Sequence, residues 1–236
     1  MEFTIDLQLV RELVADEQSR ANAEIAELGP ITALAQSQSR HDQRLAAAAD
    51  VSSLACRAGC SWCCHFTIDV RAVEVFRILD HLHAFPEPEQ QRLRARIETN
   101  AQQLACLDEE ERARINIECA FLRDGQCSIY AVRPQTCRNY HATDVTGCQQ
   151  AFEQPDNEDI DPDFAPQFYQ IGRSHVEAFS QALNEARFDQ DVYEFNAALL
   201  TAMNEPDARS RFLSKSQPFT DLVGTDVPPE FLEDGK

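Results

Sequence analysis

Apolar residues recur at helical spacing from the first turns of the chain. Leu7, Val10, Leu13 and Val14 fall on one face of the stretch 3–28, which includes Phe3, and Gly29-Pro30 ends it. Residues 31–49 continue the pattern with many Ala and Gln, so a second helix is expected. The two would pack as a hairpin or serve as an oligomerisation arm. Val70, Val73, Phe76, Ile78, Leu79 and Leu82 predict a helix with Asp69 as its N-cap, broken by Pro86 and Pro88. Residues 89–107 predict a helix with a charged outer face, and 108–114 an acidic short helix. Helices are also expected over 168–188 and 191–204, and a short one from Pro206. The tail from Ser216, with three prolines, is expected to wrap or fray.

Two stretches break this periodicity. One is "ACRAGCSWCCH", Ala55 to His65. The other is "ECAFLRDGQCSIYAVRPQTCRNY", Glu118 to Tyr140, where Asp124-Gly125 predicts a small hairpin and Pro134 the first position of a helical turn. An acidic loop follows at 156–163. No strand–helix alternation and no internal repeat is present. The expected fold class is mainly α, a helical protein around an irregular cysteine-rich metal-binding centre. Its parts would be an N-terminal helical hairpin or arm (1–50), a cysteine-cluster domain (51–150) and a C-terminal helical extension packing on the same core (151–236).

Composition agrees with helices: 43% of the 236 residues are hydrophobic and only 7 are Gly. Lys+Arg number 21 against 40 Asp+Glu, a net charge of -19. Such a surface repels phosphate backbones and anionic lipid, so no nucleic-acid or membrane partner is expected from bulk charge. The N-terminus shows neither a basic leader region nor a long apolar run, which leads to a cytoplasmic expectation. In a reducing compartment, dense cysteine points to metal binding or catalysis rather than disulfides. The odd total of nine agrees.

Were 56–64 helical, Cys56, Cys60, Cys63 and Cys64 would share one side of the helix. Free cysteines in an apolar core would look alike, but Arg57, Gly59 and Ser61 supply no apolar partner pattern. Cys119, Cys127, Cys137 and Cys148 sit around expected turns. Four plus four suits closed four-coordinate zinc and also the four-cysteine sites of iron–sulfur clusters. Cys106 is the odd one out. Cys56, Cys60 and Cys63 with Trp62 spell C-x3-C-x-aromatic-C, similar to the cluster loop of radical S-adenosylmethionine enzymes. The β/α barrel context of that loop is missing. The C-x-x-C at 60–63 likewise lacks a βαβ context.

Taken in order, "CRAGCSWCCH", "DVRAVEVFRIL", "CAFLRDGQCSIYAVRPQTCRNY" and Cys148 resemble the CxxCxxCC-type cysteine-cluster family of zinc- or iron-chelating domains. The resemblance spans about 56–148. It implies metal ligation by Cys56, Cys60, Cys63, Cys64, Cys119, Cys127, Cys137 and Cys148. Three residues rather than two separate Cys56 from Cys60, a departure that bears on the role of Cys56. Some larger relatives resemble flagellin lysine methylases, so the resemblance leaves an enzymatic role open.

Several neighbours have two readings. His65 and His141 would ligate zinc or hydrogen-bond a thiolate, or else stand exposed or cap an element. Arg133 and Arg138 would offset thiolate charge or form ordinary salt bridges. Trp62, Tyr130 and Tyr140 are expected to pack over the site. His81 and His83 face different ways, and 108–111 is a solvated acidic face. Asp156, Glu158, Asp159, Asp161 and Asp163 resemble a hard-cation loop in composition only, without the glycine and terminal glutamate of an EF-hand. The expected function is a cytosolic protein chelating zinc or iron through cysteine thiolates, with zinc slightly favoured. Two alternatives stand beside it. One is an iron–sulfur-dependent enzyme, methyltransferase-like or S-adenosylmethionine-using. The other is a structural metal site in a helical interaction module. A protein partner or homo-oligomer is left open.

Overall fold

The computed structural model describes residues 5–225 except Glu158; the side chain of Glu109 is not described. Helix α1 (Leu7–Leu28) begins where Asp6 caps it, its carboxylate accepting from the amides of Gln8 and Leu9. Phe3, the expected helix start, lies outside the described residues. Gly29 takes φ +80°, a conformation that favours glycine, and the chain turns at once into α2 (Pro30–Ala46). Of the predicted apolar face, Val10 and Val14 are buried, Leu13 is half-buried and Leu7 is exposed. The hairpin packs through α1 along α8 (Pro166–Glu185).

The helix expected to begin at Asp69 begins later. Asp69–Arg71 forms β1, which pairs antiparallel with β4 (Val192–Glu194) in the register Asp69↔Glu194, Val70↔Tyr193 and Arg71↔Val192. Asp69 is therefore no N-cap. Helix α3 (Ala72–Leu82) is capped at Arg71, whose amide donates to Glu74 Oε2 at 2.9 Å. The partner strand lies more than a hundred residues away, so local periodicity carries no sign of it. For the same reason the stretch read as helix from 191 opens as strand and becomes α9 only over Phe195–Asn204. Helices α4 (Glu87–Leu104), α5 (Glu109–Ala113) and α10 (Ala208–Leu213) lie close to their expected places.

One apolar core joins all regions of the chain, drawing Ile25 and Leu34 from the hairpin and Val73, Phe76 and Ile78 from α3. Leu93 and Ile97 from α4, Leu183 from α8 and Leu199 from α9 also belong to it. Aromatic rings seat the C-terminal part: Phe76 lies 5.4 Å from Phe212 and 6.1 Å from Phe219, and Tyr193 lies 4.8 Å from Phe219. The tail from Ser216 thus wraps back, closing with a bridge between Val192 and Thr225. Pro228 and Pro229 lie outside the described residues.

A polar seam runs through the hairpin side of this core. Glu17 is fully buried, and Arg40 donates to both its oxygens at 2.9 and 2.7 Å while Arg44 adds a bond of 2.9 Å. Arg44 also donates to His175 Nδ1 at 2.8 Å, which leaves the proton of that ring on Nε2, 2.9 Å from Ser37 Oγ. His175 stacks on His41 with centroids 4.6 Å apart, and His41 Nδ1 donates to Gln135 Oε1 at 3.1 Å. Burial, then Arg44 and Arg40, push the His175 pKa down to about 3. Burial, then His175 and Arg138, hold His41 well below the ordinary range. In the unfolded chain both protonate near 6.5, at ~1.4 kcal/mol per pH unit for each ring. The stability from keeping them neutral is therefore complete above that value and falls as pH drops toward the folded pKa values. Urea midpoints are expected to be lower at pH 5 than at pH 7, and His175→Gln to flatten the slope. A slope that His175→Gln leaves unchanged would assign the acid sensitivity elsewhere.

Candidate metal centre

The stretch 56–64 is not helical, so its four sulfurs do not share one helix face. Gly59 turns the chain at φ +87°, and a single 3₁₀ turn covers Trp62–His65. Within the loop Cys60 N donates to Arg57 O and Cys64 N to Ser61 O, each at 3.0 Å, and other backbone groups find their partners in the second cysteine segment. Ala55 N donates to Ala142 O at 2.9 Å, Cys119 N to Cys64 O at 2.8 Å and Ile117 N to His65 O at 2.8 Å. The segments are thereby tied at both ends of the loop.

The expected hairpin is present as β2 (Leu122–Arg123) and β3 (Gln126–Cys127). Asp124 and Gly125 take φ of 51° and 73°, the left-handed pair a two-residue turn needs to match strand twist. Its tip lies on the cysteine loop: a Cβ on Gly125 would stand 3.6 Å from Gly59 O. Pro134 is the N-cap, not the first helical residue, of α6 (Gln135–Asn139), which carries Cys137. Cys148 lies in a helix rather than at a turn: α7 (Val145–Glu153) is capped by Asp144, which accepts from Thr146 and Gly147. Phe152 on α7 packs against Trp62 at 5.2 Å and His65 at 4.9 Å.

All nine cysteines are free. Cys148 is buried, Cys60, Cys63, Cys64, Cys119 and Cys127 are half-buried, and Cys56 and Cys137 are exposed; Cys106 stands exposed past the end of α4. The thiols act on one another. The Cys63 thiol hydrogen-bonds Cys64, which lowers Cys64 to about 7 and, with burial, Cys137 and Cys56, drives Cys63 far above the ordinary thiol range. Burial, then Cys127 and Cys64, raise Cys119 to about 12 against a backbone bond from Phe121. Burial, then Cys64, raise Cys127, while Arg133 and Arg138 pull it down. Cys137 rises through burial, then Cys119, Cys127 and Cys64. Its residue keeps exposed surface, so the neighbouring thiols are the firmer cause. Burial, then Cys56 and Cys60, raise Cys148 to about 11.

The electrostatic influences fall into two sets, each mixing the two segments: Cys64 with Cys119, Cys127 and Cys137, and Cys148 with Cys56 and Cys60. Cys63 stands between them. Within each, one thiolate opposes the next, and a bound cation reverses that sign. The donors are soft sulfurs with no carboxylate among them, a set that suits zinc or iron. Among the described residues no three His, Cys, Asp or Glu side chains are already disposed around a single point. The chemistry of the donor set fits a metal.

The flanking residues divide. His141 is a core residue: Nδ1 donates to Asn139 O at 2.8 Å and Nε2 accepts from Ala165 N at 3.1 Å, so both nitrogens are engaged. His65 Nδ1 faces the carbonyls of Ser61 and Trp62 at 3.1 and 3.3 Å. Arg138 donates to Asp42 at 2.5 Å, Ala131 O at 2.7 Å and Arg133 O at 3.1 Å, bracing α2 against the cysteine segment. Arg133 stacks on Tyr130 at 3.9 Å. Tyr140 meets Phe66 at 5.8 Å. Glu74, His41 and His175 carry no motif and were missed from sequence. The available signal was polar residues, Ser37 and His41, on the inward face of α2 beside Leu34 and Leu45.

Gathered thiols carried on a helical frame define a cysteine-cluster metal-binding domain. Residues 55–161 of the 236 match the model of the CxxCxxCC family, described as "Putative zinc- or iron-chelating domain". No curated protein and no solved structure matches the chain. No helix among the described residues is long and apolar enough to cross a membrane.

Proposed function

We propose that the chain is a cytosolic metal-binding protein that holds zinc or iron through two sets of thiolates. One set is Cys64, Cys119, Cys127 and Cys137, and the other is Cys56, Cys60, Cys63 and Cys148. The observation that carries this reading is the mutual influence of soft donors drawn from separate segments: without a cation burial and neighbouring thiols keep most of them protonated, and a bound cation would favour the thiolates. Zinc is favoured, since four thiolates close a tetrahedral site. Such a site retains negative charge, and Arg133 and Arg138 are placed to offset it beside Cys127. A bound metal would supply the charge that keeps the thiolates deprotonated, while the loop and hairpin position them.

Metal analysis with an optical spectrum, on protein purified without oxygen, tests this first. The expected result is colourless protein with two zinc equivalents. Cys137→Ala and Cys148→Ala are each expected to lose one. Brown protein with iron and sulfide would replace zinc by a cluster. Metal content unchanged in both variants, or no metal in the parent, would leave the cysteines as core residues and end the proposal.

A further inference from the structure

The two thiolate sets stand on different foundations. Cys119 and Cys127 pack against the main apolar core, beside its buried members Ala120, Phe121 and Ile129. Cys127 also lies opposite the buried Leu122 in the β2–β3 pair. Cys64 is tied to the same segment by its carbonyl, which accepts from Cys119 N at 2.8 Å. Cys137 keeps exposed surface, but its helix is anchored on both sides of it. Gln135 and Arg138 are buried, Gln135 N donates to Glu74 Oε1 at 2.7 Å, and Arg138 donates to Asp42 and Ala131 O.

The other set lacks this support. No described residue of 55–65 or of α7 belongs to an apolar core cluster. Cys56 and Cys60 lie outside every helix and strand, on either side of the turn at Gly59. Cys148 is buried, but α7 is held only from its flanks: Phe152 packs on Trp62 and His65, and Asn116 Nδ2 donates to Phe152 O at 2.6 Å. Cys56 is the exposed member of this set, and its sulfur has a partner of its own, donating to Ala142 O at 3.9 Å. Segments with little buried apolar contact open locally more often than those built on the core. A closed four-coordinate zinc site exchanges when an incoming donor reaches the metal as one ligand leaves. Cys56 offers both conditions, access from solvent and a hydrogen-bond acceptor for the departing thiol.

Resting on the metal-binding reading above, we propose that the metal held by Cys56, Cys60, Cys63 and Cys148 is exchangeable and is handed to thiol-bearing acceptors, while that held by Cys64, Cys119, Cys127 and Cys137 is structural. Cys56 is the ligand that yields. The incoming thiol loses its proton and bonds the metal, the Cys56–metal bond breaks, and Cys56 takes up a proton and donates it to Ala142 O. One thiolate replaces another, so the charge at the metal is unchanged and no oxidant or reductant is needed.

Zinc release from the full chain carrying two equivalents, followed without oxygen in an excess of a chromogenic zinc chelator, tests the assignment. One equivalent is expected to leave about tenfold faster than the other or more, and added reduced glutathione to speed that fast phase alone. Cys148→Ala should remove the fast equivalent and keep the slow one. Cys56→Ser changes an exposed side chain, which keeps the test decisive if Cys148→Ala does not fold; it should speed the fast phase about tenfold and leave the slow phase as it was. Two equivalents leaving at one rate, a slow phase that Cys56→Ser speeds as much as the fast one, or a fast equivalent that persists in folded Cys148→Ala would overturn the proposal and leave the metal-binding reading in place. Fewer than two equivalents bound before the challenge would overturn that reading, and the proposal with it.

Discussion

Removing the metal should open the cysteine region while the surrounding helices stay closed. Hydrogen exchange after chelation is expected to rise most over 55–65 and 117–148, and least in α1, α2 and α8. The backbone explains the contrast. The cysteine loop has one 3₁₀ turn and is held across segments by single bonds such as Cys119 N to Cys64 O, and β2 and β3 pair over two residues each. Closed thiolate sites in small modules bind zinc with ~10–16 kcal/mol. Losing even ~3 kcal/mol of that locally would speed exchange roughly a hundredfold. Phe121 and Ile129 belong to the main core and should slow the hairpin base relative to its tip. Equal deprotection along the whole chain, or none, would separate metal binding from local folding.

Glu17→Ala is expected to cost about 3 kcal/mol, the lower end of what breaking a buried ion pair costs. The carboxylate is fully buried and satisfies Arg40 through two bonds and Arg44 through a third. Removing it strands charge between α1, α2 and α8. The cost stays at the lower end because Arg40 keeps Glu24 at 2.6 Å and Arg44 keeps Asp16 at 2.5 Å. Urea unfolding of parent and variant, compared at equal metal loading, measures it. A loss below ~1 kcal/mol would show that solvent reaches the seam and screens the pair.

These two expectations place the chain's strength in different regions. The helical frame is held by its apolar core and the Glu17 seam, and the cysteine region depends on what its thiols bind. Arg138 and Gln135 join the regions, since one reaches Asp42 on α2 and the other reaches His41 while both sit on the helix bearing Cys137.

The helices were legible because their signal is local. Apolar residues three and four apart, Gly29-Pro30 and the prolines after α3 mark most boundaries within a few residues. Asp124-Gly125 foretold its hairpin for the same reason, since a two-residue turn is decided by the conformations its own residues tolerate. The cysteine spacing with the C-S-I-Y and R-P-x-x-C-R segments was enough to see the family resemblance over about 56–148, and the family model matches 55–161. What the sequence concealed depends on partners far along the chain. The β1–β4 pairing moves the start of α3 away from Asp69. Gly59 and the cross-segment bonds make 56–64 a loop, where one helix face would have gathered its four sulfurs. Cys64 acts on Cys119, Cys127 and Cys137 far along the chain, and His41 finds His175. Which thiols and imidazoles meet is settled by packing between elements more than fifty residues apart, and no period or spacing within one element records it.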